Sequence, residues 1–391
     1  VMYGVPYPVI ARLSMGVRGA NFPALVRGIV AIFWYGVQTY FASTAMALLL
    51  NAILGSPGGA TFLGLDGVGW ASYIIVWVLQ LGIFLMGIRW ITRFLNWAGP
   101  LVYLVMVVLL GVIWYQTGSG LVSEVGRIFA GQGTYEGGPI MAFGAVVGTM
   151  VAYFAAVVIN YGDFSRFVKD ERSMRLGNFL GLPVSLAVFS FLALFITAGT
   201  VVLFGETLTN PSDIVARVDN LWFTIVAALT FFAATVGINL VANFIPPAFD
   251  LANLYPSRIT AKRGGIITAV IAFFIGGLWL PLISAIGITG FVDTLGALLA
   301  PLYGIMIIDF YILRKQRVVL QDLFSMDEQG TYYFDGGWNK RAMLAFACAA
   351  IFSVSTVWVP VLSDLAGYGW LVGACLGGLF HYFVMRSRIR V

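Results

Sequence analysis

The 391 residues are 60% hydrophobic and only 10% charged, with a net charge of +5. A soluble domain carries about 25% charged residues, and a soluble chain of this size could not bury so much apolar surface in one core. The composition therefore excludes a soluble globular protein and predicts an all-α polytopic membrane protein. Cys348 and Cys375 lie in apolar runs, so we expect buried thiols and neither a disulfide nor a metal framework.

The first 22 residues are too polar and too interrupted to span a bilayer. VMYGVPYPVIARLSMGVRGANF holds two prolines and two arginines, and it does not begin with methionine. No cleavable signal peptide is recognised in it. We expect an interfacial segment or the tail of a helix, in a protein whose natural start lies upstream.

Ten apolar segments are each long enough to span a bilayer, which needs about 20 residues. In chain order they are residues 23–53, 70–88, 97–117, 139–161, 177–204, 220–245, 264–282, 288–313, 341–361 and 366–385. We expect one transmembrane domain over residues 1–391. Its parts are the opening 1–22, a helical core 23–313, a cytoplasmic loop 314–340 and two C-terminal helices over 341–391.

The distribution of basic residues tests this count, because membrane proteins concentrate Lys and Arg on the cytoplasmic side. When the N-terminus and every second loop are placed on one side, that side collects all of the 22 basic residues except Arg127 and Arg217. The asymmetry predicts that both termini are cytoplasmic. We expect a multi-pass protein of the plasma (bacterial inner) membrane.

Groups that could support chemistry are few. No P-loop, HExxH motif or nucleophile–base pair is recognised, and the single histidine is His381, so an enzyme is not expected. Asp293 is the best candidate for a functional carboxylate within the membrane, and the alternative is an interfacial residue at the start of its helix. Asp163 and Asp309 are expected to be hydrated at cytoplasmic helix ends. Asp163 either pairs with Arg166 as part of a gate or forms a solvated loop pair.

The first span places Trp34 and Gln38 four residues apart, on one face of a helix. An amide in hydrocarbon needs a partner, and an indole one turn away offers a stacking surface. The pair suits a flat, polar heterocycle. The alternative is that Gln38 bonds a neighbouring helix and Trp34 only packs.

The sixth span repeats this pattern with Asn239 and Asn243, which can bond each other or a ligand. Pro246 and Pro247 follow, and we expect them to end the helix.

The fourth span places Tyr153 and Phe154 near mid-depth and Asn160 lower down. Gly144 and Gly148 precede them. These glycines either permit a helix break of the kind that exposes backbone groups in transporters or serve close helix packing.

Five segments carry a family resemblance along essentially the whole chain. In order they are PVIARLSMGVRGANFPALVRG, FWYGVQT, NYGDFSRF, ANFIPPAFDLANLYPSRITAKRGG and LAPLYGIMIIDFYILRK. The set resembles the nucleobase–cation symporter-1 family, whose members import nucleobases and related heterocycles such as uracil, cytosine, allantoin and hydantoins. The resemblance implies a LeuT-type fold of five-plus-five inverted repeats with two extra C-terminal helices. The ten spans would be helices three to twelve, without the first helix and most of the second.

The resemblance also implies a substrate site. Trp34 becomes a stacking platform, and Gln38 and Asn243 become partners of the ring amide. Phe154 stands where relatives often have tryptophan and would close the sandwich from the other face. The full set of substrate-binding candidates is Trp34, Gln38, Phe154, Asn243, Tyr153 and Asn239.

The cation site departs from the family pattern. Ala234 matches a position that offers a backbone carbonyl, but Gly237 and Ile238 stand where sodium-coupled relatives have Ser and Thr hydroxyls. Thr235 is nearby on another face. Proton coupling is therefore at least as well supported as sodium coupling, with Asp293 as the candidate proton carrier. We expect no cofactor and no metal other than sodium.

These observations predict a symporter that imports a planar lactam heterocycle with a proton or a sodium ion by alternating access. We expect it to act as a monomer and to bind no nucleic acid. Two alternatives stay open: the same fold carrying an amino acid or a vitamin, and an ion channel.

Overall fold

The computed structural model describes residues 3–55, 58–130, 138–218 and 220–388, which leaves Arg390 of the basic set outside the described residues. This part of the chain is helical, with only two isolated β-bridges. Its main helices are α1 Asn21–Leu54, α2 Gly67–Met86, α3 Ile88–Thr117, α4 Gly138–Tyr153, α5 Ser185–Phe204, α6 Leu221–Asn239, α7 Ala261–Gly277, α8 Gly287–Ile307, α9 Lys340–Trp358 and α10 Gly369–Met385. Each overlaps one predicted span. By length and composition alone, seven of the described helical stretches can cross a membrane.

Side-chain caps define where several helices begin. Asp66 accepts from the Gly69 N–H at 2.7 Å at the start of α2, and Asn220 caps α6 in the same manner. Asn339 caps α9 by accepting from the Ala342 N–H. Each cap satisfies an N–H that has no partner within its helix. The polar residues at the edges of the apolar runs thus set the helix boundaries.

The sixth span does not end at its two prolines, and the predicted end at residue 245 is wrong. A π-helical turn, Leu240–Phe244, follows α6 and leads directly into a further helix, Ile245–Leu254. Pro246 and Pro247 occupy the first turn of that helix. Backbone N–H groups in a first turn have no acceptor within the helix, so the N–H that proline lacks is not needed there. The wider π turn absorbs the change of register.

The fourth span is broken, but not at its glycines. After α4, Phe154 and Asn160 leave helical geometry, and two single-turn helices follow, Ala155–Ile159 and Tyr161–Ser165. The break therefore falls next to the aromatic candidates.

Gly144 and Gly148 instead allow close packing within the bundle. A Cβ at Gly148 would collide with the Gly367 carbonyl, and one at Gly144 would collide with the Tyr368 ring. Of the two interpretations, the structure supports packing.

Helix α1 is the central element. Trp34 and Val37 pack in a core shared with α4, α8, α9 and α10. Ile32 and Tyr35 pack in a second core shared with α2, α3, α5, α6 and α7. Polar residues on α1 therefore lie between two groups of helices.

The opening residues pack against the loop between α8 and α9. Tyr7–Ile10 and Arg12–Met15 are single-turn helices. Arg314 donates to the Leu13 carbonyl at 2.9 Å, and Asn339 donates to the Ser14 carbonyl at 2.7 Å. The long loop thus holds the opening segment by its backbone.

Cys348 and Cys375 are exposed on the protein surface, so the expectation of buried thiols is wrong. They lie on α9 and α10. An apolar run is as favourable against lipid as against protein, and hydropathy alone does not separate the two.

Candidate functional site

The predicted amides of α1 and α6 meet in the structure. Asn243 Nδ2 donates to Gln38 Oε1 at 3.0 Å and to Asn239 Oδ1 at 3.0 Å. Asn239 is fully buried, Asn243 nearly so, and Gln38 half-buried. The π turn that follows Asn239 carries Asn243, and it keeps both amides on the side of α1.

The amide network continues to a residue that the sequence analysis missed. Asn239 Nδ2 donates to Gln80 Oε1 at 2.8 Å, and it also lies within hydrogen-bond distance of the Tyr35 carbonyl and Thr39 Oγ1. Gln80 Nε2 donates to Thr39 Oγ1 at 3.1 Å. Gln80 is fully buried on α2. A glutamine in the middle of an apolar span was the signal that could have identified it.

Two polar groups of this network stay free among the described residues. Both hydrogens of Asn243 Nδ2 are used, so its Oδ1 is an available acceptor. Gln38 accepts through Oε1, so its Nε2 is an available donor. The pair presents a donor and an acceptor side by side.

Aromatic rings surround Trp34 edge-on. Its ring centroid lies 5.2 Å from that of Tyr153 and 5.1 Å from that of Phe291, with interplanar angles of 81° and 75°. Phe154 lies one residue beyond and contacts Tyr153, at 5.1 Å. Trp34 and Phe154 are thus linked through Tyr153, and the direct aromatic neighbours of Trp34 are Tyr153 and Phe291.

The cation candidates border a largely apolar space. Ala234, Thr235 and Ile238 line a cavity of about 700 Å³ between α1, α3, α5 and α6, while Gly237 is buried on another side of α6. Glycine and isoleucine have no side-chain oxygen for a hard cation. Thr235 supplies the one hydroxyl among these four residues.

Asp293 is only 5% exposed, so it is not a solvated interfacial residue. It lies two turns into α8, and the Thr149 side chain and Gly367 backbone face its carboxylate. A buried carboxylate without a described cationic partner fits a group that takes up a proton.

A second buried charge was missed because the sixth span was predicted too short. Asp250 lies in the helix after the π turn, and it pairs with Arg27 of α1 at 2.9 Å. Both are buried, and Arg27 Nε and Nη2 have no hydrogen-bond partner among the described residues. The buried Tyr7 hydroxyl likewise has no partner in the part of the chain that the structure describes. Burial raises the pKa of this phenol, and the charge of Asp250 adds to the effect.

The expectation that Asp309 is hydrated is wrong. Its carboxylate is fully buried and contacts Arg314 Nε at 2.7 Å and His381 Nε2 at 2.9 Å. The end of α8 continues as a π-helical turn that directs Asp309 inward, where α10 and the loop supply partners.

Asp163 is half-buried and holds the opening segment. It accepts from the Tyr7 backbone N–H at 2.7 Å and from Asn160 Nδ2 at 3.2 Å. Arg166 lies over the Phe167 ring, 4.8 Å from its centroid. No described ion pair joins Asp163 to Arg166, so neither interpretation of that pair fits.

Comparison with known proteins places the chain among permeases. A family described as permeases for cytosine/purines, uracil, thiamine and allantoin matches residues 1–384. Allantoin permease of Bacillus subtilis (strain 168) is 36% identical over 390 residues, covering 98% of this chain and 78% of the relative. A putative allantoin permease of Escherichia coli (strain K12) is 31% identical, covering 95% and 77%. A purine-uracil permease of Arabidopsis thaliana is 27% identical, covering 99% and 66%.

Solved structures show the same fold. Mhp1, a nucleobase-cation-symport-1 family transporter, in a closed conformation with bromovinylhydantoin bound, superimposes with a TM-score of 0.73. The two chains are 24% identical, and the match covers 98% of this chain and 79% of Mhp1. The inward-facing conformation of Mhp1 gives the same TM-score at 23% identity, covering 98% and 78%. The expected LeuT-type fold is confirmed.

Proposed function

Because this chain belongs to the family of permeases for cytosine/purines, uracil, thiamine and allantoin, we propose that it is a symporter importing a planar lactam heterocycle. Family membership makes it a multi-pass membrane transporter of small heterocycles and not an enzyme. The substrate and the coupling ion are part of the proposal. So are a monomeric state, a plasma-membrane location and a cytoplasmic C-terminus.

One observation carries the substrate class: Gln38 Nε2 and Asn243 Oδ1, on two amides that bond each other, have no partner among the described residues. Gln38 lies one turn from Trp34 on α1. A lactam edge has a carbonyl that accepts and a neighbouring N–H that donates. It can therefore satisfy both groups at once. The indole of Trp34 supplies a flat apolar surface for the ring, and stacking of this kind adds about 0.5–1.5 kcal/mol beyond burial.

The relatives narrow the choice of heterocycle. The permeases at 36% and 31% identity are both named for allantoin, the second as a putative one. Allantoin is a hydantoin with a ureido group, so its ring offers the lactam edge that the two amides fit. We place allantoin and hydantoins first, followed by uracil and cytosine.

For coupling, we propose a proton rather than a sodium ion. Gly237 and Ile238 offer no side-chain oxygen, so a sodium site would depend on backbone carbonyls such as that of Ala234. Buried Asp293 is the group we propose as the proton carrier.

Binding to the purified protein tests the substrate class. Allantoin, hydantoin, uracil, cytosine, thiamine and leucine are titrated separately while tryptophan fluorescence is recorded. We expect saturable quenching by one or more lactams and none by leucine. Saturation by leucine or thiamine alone would contradict the proposal in favour of the amino-acid or vitamin alternative. Ion currents through the protein in a planar bilayer without heterocycle would favour the channel.

A further inference from the structure

Gln80 has no part in the site as proposed, although it is fully buried and bonded through both ends of its amide. It comes from α2, while the candidate substrate groups come from α1 and α6. Its Oε1 accepts from Asn239, and its Nε2 donates to Thr39. Gln80 is therefore linked to Asn243 through Asn239, and to Gln38 through Asn239 and Asn243.

The directions of these hydrogen bonds are determined at one end by a backbone carbonyl. Tyr35 O can only accept, and it accepts from Thr39 Oγ1 at 2.7 Å. The single hydroxyl hydrogen of Thr39 is thereby used, so towards Gln80 the hydroxyl can only accept. The NH₂ group of Gln80 must face Thr39, and its Oε1 must face Asn239.

The orientations of the amides on the substrate side follow from the same donor and acceptor roles. Asn239 Nδ2 faces Gln80 Oε1 and the Tyr35 carbonyl, so Asn239 Oδ1 must face Asn243. Asn243 then turns its NH₂ group towards Asn239 and Gln38, which leaves its Oδ1 free. Gln38 accepts through Oε1 and leaves its Nε2 free. Each amide has one orientation in which all its bonds can form.

We propose that Gln80 is a positioning residue that sets which face of the Asn243 and Gln38 amides is presented to substrate, and thereby requires an unmethylated N–H beside a carbonyl. The proposal rests on the proposed function, since it assigns a specificity element to that same site. Gln80 acts through Asn239 and does not touch the heterocycle. An N-methyl lactam would leave Asn243 Oδ1 without a donor and would place a methyl group against it.

Selectivity between a lactam and its N-methyl derivatives tests the role. The dissociation constants of hydantoin and 1,3-dimethylhydantoin, which has no N–H, are measured for the wild type and for Gln80→Leu. We expect the wild type to reject the dimethyl derivative by about 10-fold or more, as for a lost hydrogen bond in a buried site. Gln80→Leu should reduce this ratio severalfold. Asn239 then loses the nearest acceptor of its NH₂ group, at 2.8 Å against 3.1 Å for the Tyr35 carbonyl and 3.2 Å for Thr39 Oγ1, so the amides downstream of it are held less firmly in one orientation.

Two further variants separate positioning from packing. Ser72→Ala is the matched control, because Ser72 is buried on α2 and its hydroxyl has no partner among the described residues, so the ratio should not change. Gln80→Glu keeps the acceptor that faces Asn239. When protonated, the introduced carboxyl has one acceptor and one donor, like the amide, and should restore wild-type selectivity. When ionised, it has one acceptor oxygen for Asn239 and one for the Thr39 hydroxyl, so the selectivity should again be retained.

The outcomes are distinguishable. A selectivity ratio that is unchanged in Gln80→Leu, while the wild type binds hydantoin, would overturn the positioning role alone. A ratio as low in Gln80→Glu as in Gln80→Leu would also overturn it. Absence of binding of both probes to the wild type would overturn the proposed hydantoin specificity, and the positioning role with it.

Discussion

His381 Nε2 lies 2.9 Å from Asp309 Oδ1, and neither side chain is exposed. The pair joins the end of α8 to α10, and Arg314 completes it from the loop at 2.7 Å. Arg314 also lies over the Tyr332 ring and donates to Leu13. The only histidine of the sequence thus belongs to a cluster that joins α10 and the opening segment to the end of α8.

We expect Asp309→Asn to destabilise the protein because Arg314 would remain buried without its counter-charge. The cost of a buried unpaired charge is several times that of a neutral hydrogen bond, about 3–5 kcal/mol. His381→Ala should cost about 1–3 kcal/mol, since Arg314 still pairs with Asp309. Thermal unfolding in detergent measures both. Asp335→Asn is the control: its ion pair with Lys340 is 70–75% exposed, so little change is expected. Equal effects at Asp309 and Asp335 would contradict the argument.

Asn243 and Asn239 should respond differently to truncation. Asn243→Ala removes a group that we expect to bond substrate, so affinity should fall about 5- to 150-fold, corresponding to 1–3 kcal/mol, with a smaller change in stability. Asn239→Ala removes bonds to Gln80, Tyr35 and Asn243, all within the protein, and should lower the unfolding temperature more. Gln38→Ala should behave like Asn243→Ala. Unaltered affinity in Gln38→Ala would favour the packing interpretation.

Loss of the Trp34 indole should weaken binding at least as much as loss of one amide. Trp34→Leu keeps an apolar side chain among Tyr153 and Phe291 but removes the stacking surface. Trp279→Leu is the matched control, because Trp279 is equally buried in the same core and contacts Phe291. Binding titrations should separate the two variants. A similar loss in both would indicate that Trp34 only packs.

Uptake should follow a proton gradient and be insensitive to sodium. In proteoliposomes, an imposed pH gradient should drive accumulation of labelled substrate, and a sodium gradient at constant pH should not. Asp293→Asn should abolish proton-driven accumulation and leave exchange of substrate intact, because the amide cannot release a proton. Sodium-driven accumulation at constant pH would show that Gly237 and Ile238 do not prevent sodium coupling. Intact proton-driven uptake in Asp293→Asn would exclude this carboxylate as the carrier.

Side-specific labelling tests the orientation. Single cysteines at Thr61 or Glu206 should react with an impermeant maleimide added outside the cell, and those at Arg172 or Gln329 only after lysis. All four positions are exposed, so reactivity reports the side of the membrane. Cys348 and Cys375 are exposed as well and must first be replaced. External labelling at all four positions would contradict the ten-span orientation.

Local sequence properties were sufficient for much of this protein. The ten helices follow from hydropathy, because transfer of each apolar stretch into lipid depends on that stretch alone. The four-residue spacing of Asn239 and Asn243 likewise placed both amides on one face, and the structure joins them at 3.0 Å. The family resemblance supplied the LeuT-type fold.

Which groups meet between helices was decided only by the tertiary structure. Gln80 lies 159 positions from Asn239, and Arg27 lies 223 positions from Asp250, so neither pair leaves a local pattern. The π turn at Leu240–Phe244 carries the chain past Pro246 and brings Asp250 into the bundle, which hydropathy and proline rules did not predict. In the sequence Asp309 lies at the end of an apolar run, but packing of α10 and the loop buries it. The physical reason is the same in each case: a buried polar group is stable only when a partner is present, and the partner comes from another helix.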